Sequence, residues 1–414
     1  LRRAGGRWSF GNASSATHRP CKIVFASFSM RSLEIFAGCG GLALGMARAG
    51  FSHDMVVEYD RDAVRTLEYN KRREIEHGRH WDINHVDARE IDYRAISNVD
   101  VVSGGPPCQP FSIGGKHLGP RDPRNMWPEA IRAIRELSPK GFVLENVRGL
   151  FRPAFEPYLD YITLQLSYPD LEPRADEFWE DHLRRLRNHR AADKGRTRAF
   201  RVLSKSVNAA DYGAAQKRYR AIFIGIDARQ GEEWNFPEPT HSQEALAWAK
   251  HVDLSYWERN GARRVRAFSS TSEASALKRA LASGTPPEKK PWVTVRDAIG
   301  DLPPPTKSEF IAGHWQHPGA RAYKNHTGSN MDEPAKALKA GDHGVPGGEN
   351  MVVNRRGNVR YFTVREMARL QGFPDDFDVS GSWKAATRQL GNAVPTAMAQ
   401  RMGEFVQATL NPTT

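Results

Sequence analysis

The chain has little cysteine and no long apolar run. Its three cysteines, Cys21, Cys39 and Cys108, are too few and too widely spaced for a disulfide framework. No Cys-x-x-Cys and no histidine pair accompanies them, so no metal site is expected. Such cysteine usage suits a reducing, cytoplasmic compartment. No stretch approaches the roughly 20 apolar residues that a spanning helix needs, and the mean hydropathy is −0.61. A membrane partner is therefore not expected. Acidic charge is also in deficit: 60 Lys and Arg stand against 48 Asp and Glu, a formal charge of +12 over 414 residues. That excess favours a polyanionic partner, nucleic acid first. No internal repeat is visible.

Residues 1–29 read as a disordered arm or a mis-called start, since Met30 directly precedes the first strongly patterned strand. From there to 147 the pattern alternates. SLEIF (32–36), HDMVVEYD (53–60), INHVD (83–87), VDVVSGG (99–105) and GFVLENV (141–147) read as strands. Helices are expected in LALGMARAGF, RDAVRTLEYNKRR and PEAIRAIREL between them. This alternation predicts a doubly wound, mostly parallel α/β sheet. RVLSKSV (201–207) and RAIFIGI (220–226) can extend it as an antiparallel edge pair.

Residues 151–200 look like an insertion. Its basic run (Arg184, Arg185, Arg187, Arg190, Lys194, Arg196, Arg198) is either a solvated helix face or a phosphate-contacting surface. From 227 to 355 Pro and Gly rise and the alternation stops, which predicts a second, smaller and irregular module. TVREMARLQGF (363–373) and the helix after GNAVP (391–395) return to regular patterning within 356–414.

The loop FAGCGG joins the first strand to the first helix, where open α/β sheets bind ligands. Glu58 ends the second strand 20 residues after Gly38, a position suited to ribose hydroxyls. Nicotinamide and adenosylmethionine enzymes share that signal. Two details favour adenosylmethionine: Phe36 opens the loop, and Asp87 ends the third strand within reach of an adenine amino group. Cys39 reads as a packed small residue.

GGPPCQPFS (104–112) sets Cys108 in a turn after an apolar strand, stiffened by prolines on both sides. A thiol there is placed as a nucleophile; a core cysteine would sit within an apolar run. Together with SLEIFAGCGGLALGMARAGF, FVLENV, AAQKRYRAIFIG, YFTVREMARLQGFPDDF and RQLGNAVP, in that order, this block resembles the DNA cytosine-5 methyltransferases of bacterial restriction-modification systems.

The resemblance implies a class I adenosylmethionine-dependent methyltransferase fold. The catalytic domain would be 30–226, with 227–355 for target recognition and 356–414 completing the catalytic part. It implies Cys108 as nucleophile, Glu145 as the acid at the cytosine ring, Arg220 on the cytosine carbonyl, and Arg218 bracing the loop or a phosphate. Phe36, Ala37, Gly38, Gly40, Glu58, Asp87, Pro107, Met126, Asn392 and Val394 would hold S-adenosyl-L-methionine. Gln109, Ser112, Arg121 and Gln216 would meet double-stranded DNA, and segment 112–125 would move over an extruded base. A monomer is expected, bacterial, cytoplasmic and nucleoid-associated, with a restriction endonuclease as functional partner. The alternatives are an RNA cytosine-5 methyltransferase, though no cysteine follows Cys108, and an inactive DNA-binding regulator.

Overall fold

Strand β1 (Met30–Ile35) buries Leu33 and Ile35 on one face and Ser32 and Glu34 on the other. A strand covered on both faces belongs at the centre of a sheet flanked by helices. The computed structural model describes residues 30–75, 77–107, 124–193, 197, 200–230, 234–305, 311–322, 327–341, 350–354 and 356–411. The expected arm at 1–29 and most of the segment 112–125 lie outside them, as do Cys108, Gln109, Ser112 and Arg121.

In chain order the next strands are β2 (Phe51–Glu58), β3 (Ile83–His85), β4 (Val101–Gly104), β5 (Gly141–Val147) and β6 (Phe200–Asn208). The short β7 (Gln216–Lys217) and the long β8 (Tyr219–Asp227) follow. Seven of these form one sheet in the order β3-β2-β1-β4-β5-β8-β6. The first five run parallel; β8 is antiparallel to β5, and β6 to β8. The chain leaves β1 toward β2 and β3, then crosses back to β4. The switch point therefore lies between β1 and β4, with the Phe36 loop and the Gly105–Pro107 loop opening side by side at the carboxyl edge. That is where such sheets hold ligands.

Helices cover both faces. On one side α3 (Trp127–Leu137) and α4 (Glu156–Ser167) pack Trp127, Ile134, Tyr158 and Ile162 with Leu33, Phe142 and Phe223. On the other, α1 (Gly41–Arg48) and α12 (Thr396–Leu410) pack Leu42, Met46, Met398 and Val406 with Val101, Val143 and Ile224. The two helices meet closely because neither carries bulk at the crossing. A Cβ on Gly45 would fall 2.3 Å from that of Ala399. Helix α2 (Arg61–Arg72) is capped by the Asp60 side chain, and α10 (Val364–Leu370) by a capping box of Thr363 and Glu366. Helix α11 (Trp383–Asn392) leads directly into the GNAVP turn.

Two expectations change. The 151–200 segment is not one insertion, because α4 belongs to the main core. Only α5 (Trp179–Asp193) stands outside it, leaning on α4 through Leu183 and Leu186. Three of its arginines bind protein acids: Arg185 lies 2.7 Å from Glu177, Arg187 2.5 Å from Asp160 and Arg184 3.0 Å from Asp181. For these three the solvated helix face is the better reading; Lys194, Arg196 and Arg198 of the basic run lie outside the described residues. The 227–355 module is also more regular than its Pro and Gly content suggests. It holds α6 (Gln243–His251), α7 (Ser255–Arg259), α8 (Thr271–Ala282) and α9 (Val295–Ile299), with side-chain caps from Ser242, Ser270 and Thr294. Lys250 is buried between Glu273 and Glu333 there. Among the described residues no helix is long and apolar enough to cross a membrane, and no cluster suited to a metal ion occurs.

Candidate active site

The glycine loop after β1 is pinned from two sides. The Ala37 amide donates to the Val57 carbonyl at 3.1 Å, and the Gly38 amide to Oε2 of Glu58 at 2.6 Å. Oε1 of Glu58 accepts from the Asp60 amide at 2.6 Å. Burial pushes the Glu58 carboxyl above its usual range, and these two amides pull it back. Each carboxylate oxygen has a second acceptor site, so the ribose-binding expectation is compatible with this geometry. Phe36 takes a left-handed φ of 57°, rare for an aromatic residue, which turns the chain sharply at the end of β1. A Cβ on Gly38 would meet nothing within 4 Å, whereas one on Gly40 would strike Leu67 and Trp81. Open space before Gly38 leaves room for a ligand there.

Val394 reaches this loop from the far end of the chain. Its carbonyl would lie 2.4 Å from a Cβ on Gly41, so the GNAVP turn closes directly onto the start of α1. Asn392 ends α11 exposed, Pro107 is exposed, and Met126 is buried at the start of α3. Asp87 already has a partner of its own. It caps a short 3-10 turn and binds its own neighbour Arg89 at 3.0 and 2.5 Å. That guanidinium holds its carboxyl below the usual range. Among the described residues Oδ2 accepts only from Arg89, so an acceptor site remains there for a ligand amino group.

At the reacting end, Glu145 on β5 pairs with Arg220 on β8, Nε to Oε1 at 2.5 Å. The register sets Glu145 opposite Ile222 and Val147 opposite Arg220, so the two side chains are diagonal neighbours on one face. Burial raises the Glu145 carboxyl, and the Arg220 and then the Arg218 charge lower it. A Cβ on Gly105 would sit 3.4 Å from the other Glu145 oxygen, so the carboxylate faces the loop that leads to Cys108. Asn146 fixes that loop by donating to the Pro106 carbonyl at 3.1 Å.

One residue requires correction, and the structure decides between the two roles expected of another. Gln216, expected at DNA, is fully buried. Its amide donates to Oε1 of Gln371 at 2.8 Å and to the Leu370 carbonyl at 3.2 Å, and its oxygen accepts from the Leu338 amide. An apolar surround satisfied in this way leaves nothing for a groove to reach. Arg218, placed in the catalytic set, is 1% exposed and donates to the carbonyls of Leu338 at 2.8 Å and Gly391 at 2.6 Å. It braces three segments rather than a phosphate.

Sequence reasoning overlooked Asn146, Gln371 and Glu34. Asn146 was readable as the middle of ENV. Gln371 donates to the Leu390 carbonyl and so ties α10 to the GNAVP turn. Glu34 lies wholly buried beneath the glycine loop, accepting from the Ala43 amide at 2.9 Å and the Ser103 hydroxyl at 2.8 Å. A lone acid in an apolar strand carried the signal.

The chain is similar to known proteins over nearly its whole length. The C-5 cytosine-specific DNA methylase family matches residues 30–169 and 193–408, leaving out most of α5. Type II methyltransferase M.NgoMIV of Neisseria gonorrhoeae is 30% identical over 384 residues, 91% of this chain and 96% of that protein. Type II methyltransferase M.Sau96I of Staphylococcus aureus is 31% identical over 91% of this chain and 76% of its own length. In fold, the S. pombe Dnmt2 methyltransferase superposes with a TM-score of 0.53 at 16% identity, covering 92% of this chain and 99% of that one. The chain belongs to the C-5 cytosine-specific DNA methylase family and is a DNA (cytosine-5)-methyltransferase.

Proposed function

We propose that the protein methylates carbon 5 of a cytosine in a specific double-stranded DNA sequence, using S-adenosyl-L-methionine, as the modification enzyme of a restriction-modification system. The observation that carries this reading is the pairing of buried Glu145 with half-buried Arg220, set over Gly105 and the chain entering Cys108. The Type II methyltransferases to which the chain is similar support the biological setting. Phe36, Ala37, Gly38, Gly40, Glu58, Asp87, Pro107, Met126, Asn392 and Val394 would hold the cofactor. When bound, the cofactor supplies an electrophilic methyl group at its sulfonium.

The protein's own residues then have three tasks. The target base is extruded from the duplex, because a stacked ring cannot meet a thiolate. The Cys108 thiolate adds to ring carbon 6, while Glu145 gives a proton to ring nitrogen 3 and Arg220 binds the carbonyl oxygen. The added electron pair makes carbon 5 nucleophilic. Once carbon 5 is methylated, a base (water included) takes its proton and the ring double bond re-forms. Cys108 leaves as thiolate and Glu145 recovers its proton. An acid whose carboxyl burial pushes up, beside a cation that orients it, suits this task. Residues 227–355 would read the sequence, and 356–414 would complete the catalytic unit.

The test is covalent trapping. A duplex bearing 5-fluorocytosine at the methylated position lacks the proton that must leave, so the enzyme should stay attached in the presence of cofactor. Cys108→Ser should neither trap nor transfer label. Methyl transfer to DNA without any trapped complex would overturn the mechanism.

A further inference from the structure

One residue beyond the last registered pair of β5 and β8, Val147 with Arg220, the two strands offer Arg148 and Tyr219. The Arg148 guanidinium lies over the Tyr219 ring, 4.7 Å from its centroid. Tyr219 keeps 45% of its surface exposed, and Arg148 is exposed as well. Among the described residues no acid forms an ion pair with Arg148, unlike Arg184, Arg185 and Arg187 on α5. A cation with no acid partner among the described residues is thus set over an aromatic ring at the carboxyl edge of the sheet, next along the strands from the Glu145–Arg220 pair.

We infer that Arg148, held on Tyr219, grips a phosphodiester of the DNA strand that carries the target cytosine. The inference rests on the proposed DNA-methylating function. Backbone contacts set register on a duplex without reading sequence, and a planar guanidinium matches phosphate oxygens in a fixed fork. Stacking on Tyr219 removes most of the rotamer freedom that binding would otherwise cost, so the ring acts as a mount. The placement also suits the chemistry. A grip at the strand ends, one residue beyond Val147 and Arg220, holds the DNA strand while the neighbouring nucleotide swings toward Glu145. Tyr219 itself touches no phosphate in this reading and is a positioning residue.

Anisotropy of a labelled mixed-sequence duplex over a series of KCl concentrations tests this without any methyl transfer. Each phosphate contact contributes about 0.9 to the slope of log affinity against log salt. Arg148→Ala is expected to bind about tenfold more weakly at moderate salt and to lose about 0.9 of that slope. Arg148→Lys should keep the slope, Tyr219→Phe should match the wild type, and Tyr219→Ala should weaken binding with the slope intact. A full wild-type slope in folded Arg148→Ala would overturn the inference, as would equal losses in Tyr219→Phe and Tyr219→Ala. Neither result touches the proposed function, which falls instead if the wild-type protein methylates no DNA.

Discussion

Asn146 donates its side-chain amide to the carbonyl of Pro106, two residues before Cys108, across 3.1 Å. One strand end thereby carries both the acid, Glu145, and the clamp that holds the chain leading to the nucleophile. Asn146→Ala should leave the sheet intact while releasing that chain. A misplacement of about 1 Å at a reacting centre costs on the order of a hundredfold in rate. Single-turnover methyl transfer at saturating cofactor is expected to slow by that order, and cofactor affinity, measured by equilibrium dialysis, should fall modestly because Pro107 moves with the loop. A variant as fast as wild type would show that the loop positions itself.

Glu145 should govern the alkaline side of the rate profile. Burial pushes its carboxyl up, so the protonated acid survives to higher pH than a surface glutamate allows. The rate should fall as pH rises through that raised value. Arg220 is the largest charge pulling the other way, so Arg220→Ala is expected to move the falling limb to higher pH while weakening base binding. Glu145→Gln removes the proton and should lower the rate about 10²–10⁴-fold, with the limb lost. Single-turnover pH profiles of the three proteins measure this; an unmoved limb in Arg220→Ala would assign it to another group.

Much of this arrangement was legible before the structure because it rests on local chemistry. β2 ends in Glu58 and β4 in Gly104, β1 runs into the glycine loop, and β5 carries Glu145 two residues before its end. That punctuation made the strand order readable and put Glu58 and Glu145 at one edge. Gln216 was misread because it precedes Lys217, Arg218 and Arg220, and a glutamine among cations looks like a groove contact. Its partner Gln371 is 155 residues away, a pairing that no local pattern reveals. Helices α6 and α8 were missed for the opposite reason. Their spacing of alanine and leucine is ordinary, but proline-rich stretches on either side drew the eye to irregularity.

The closure of α12 on α1 joins the two ends of the catalytic unit at a few glycines. A Cβ on Gly45 would lie 2.3 Å from that of Ala399 and 2.7 Å from the Gln400 amide nitrogen, so backbone would have to move. Gly45→Ala is therefore expected to destabilise the fold by about 1–3 kcal/mol, despite alanine's better helix propensity. Because Val394 leans on Gly41 in the same crossing, cofactor affinity should fall with it. Urea unfolding and cofactor titration check the pair of effects. A variant more stable than wild type would mean that the helices separate without strain.

Buried Glu34 gives the fold a pH dependence unrelated to catalysis. Burial pushes its carboxyl from the usual 4.5 up to about 8, against the Ser103 and Ala43 hydrogen bonds that lower it. Between those values the folded chain keeps a proton that the unfolded chain has released, so stability falls as pH rises through the window and levels off above it. His53, on the neighbouring strand, is pushed down to about 4 from 6.5 by burial. It remains neutral when folded, and its contribution is lost as pH falls from 6.5 toward 4. Glu34→Gln preserves both contact positions without an ionisable group. It should be close to wild type at about pH 4.5 and exceed it by on the order of 5 kcal/mol well above pH 8. Urea unfolding at the two pH values measures the difference; the same gap at both would mean that Glu34 keeps one charge state throughout, and its burial would then need another compensation.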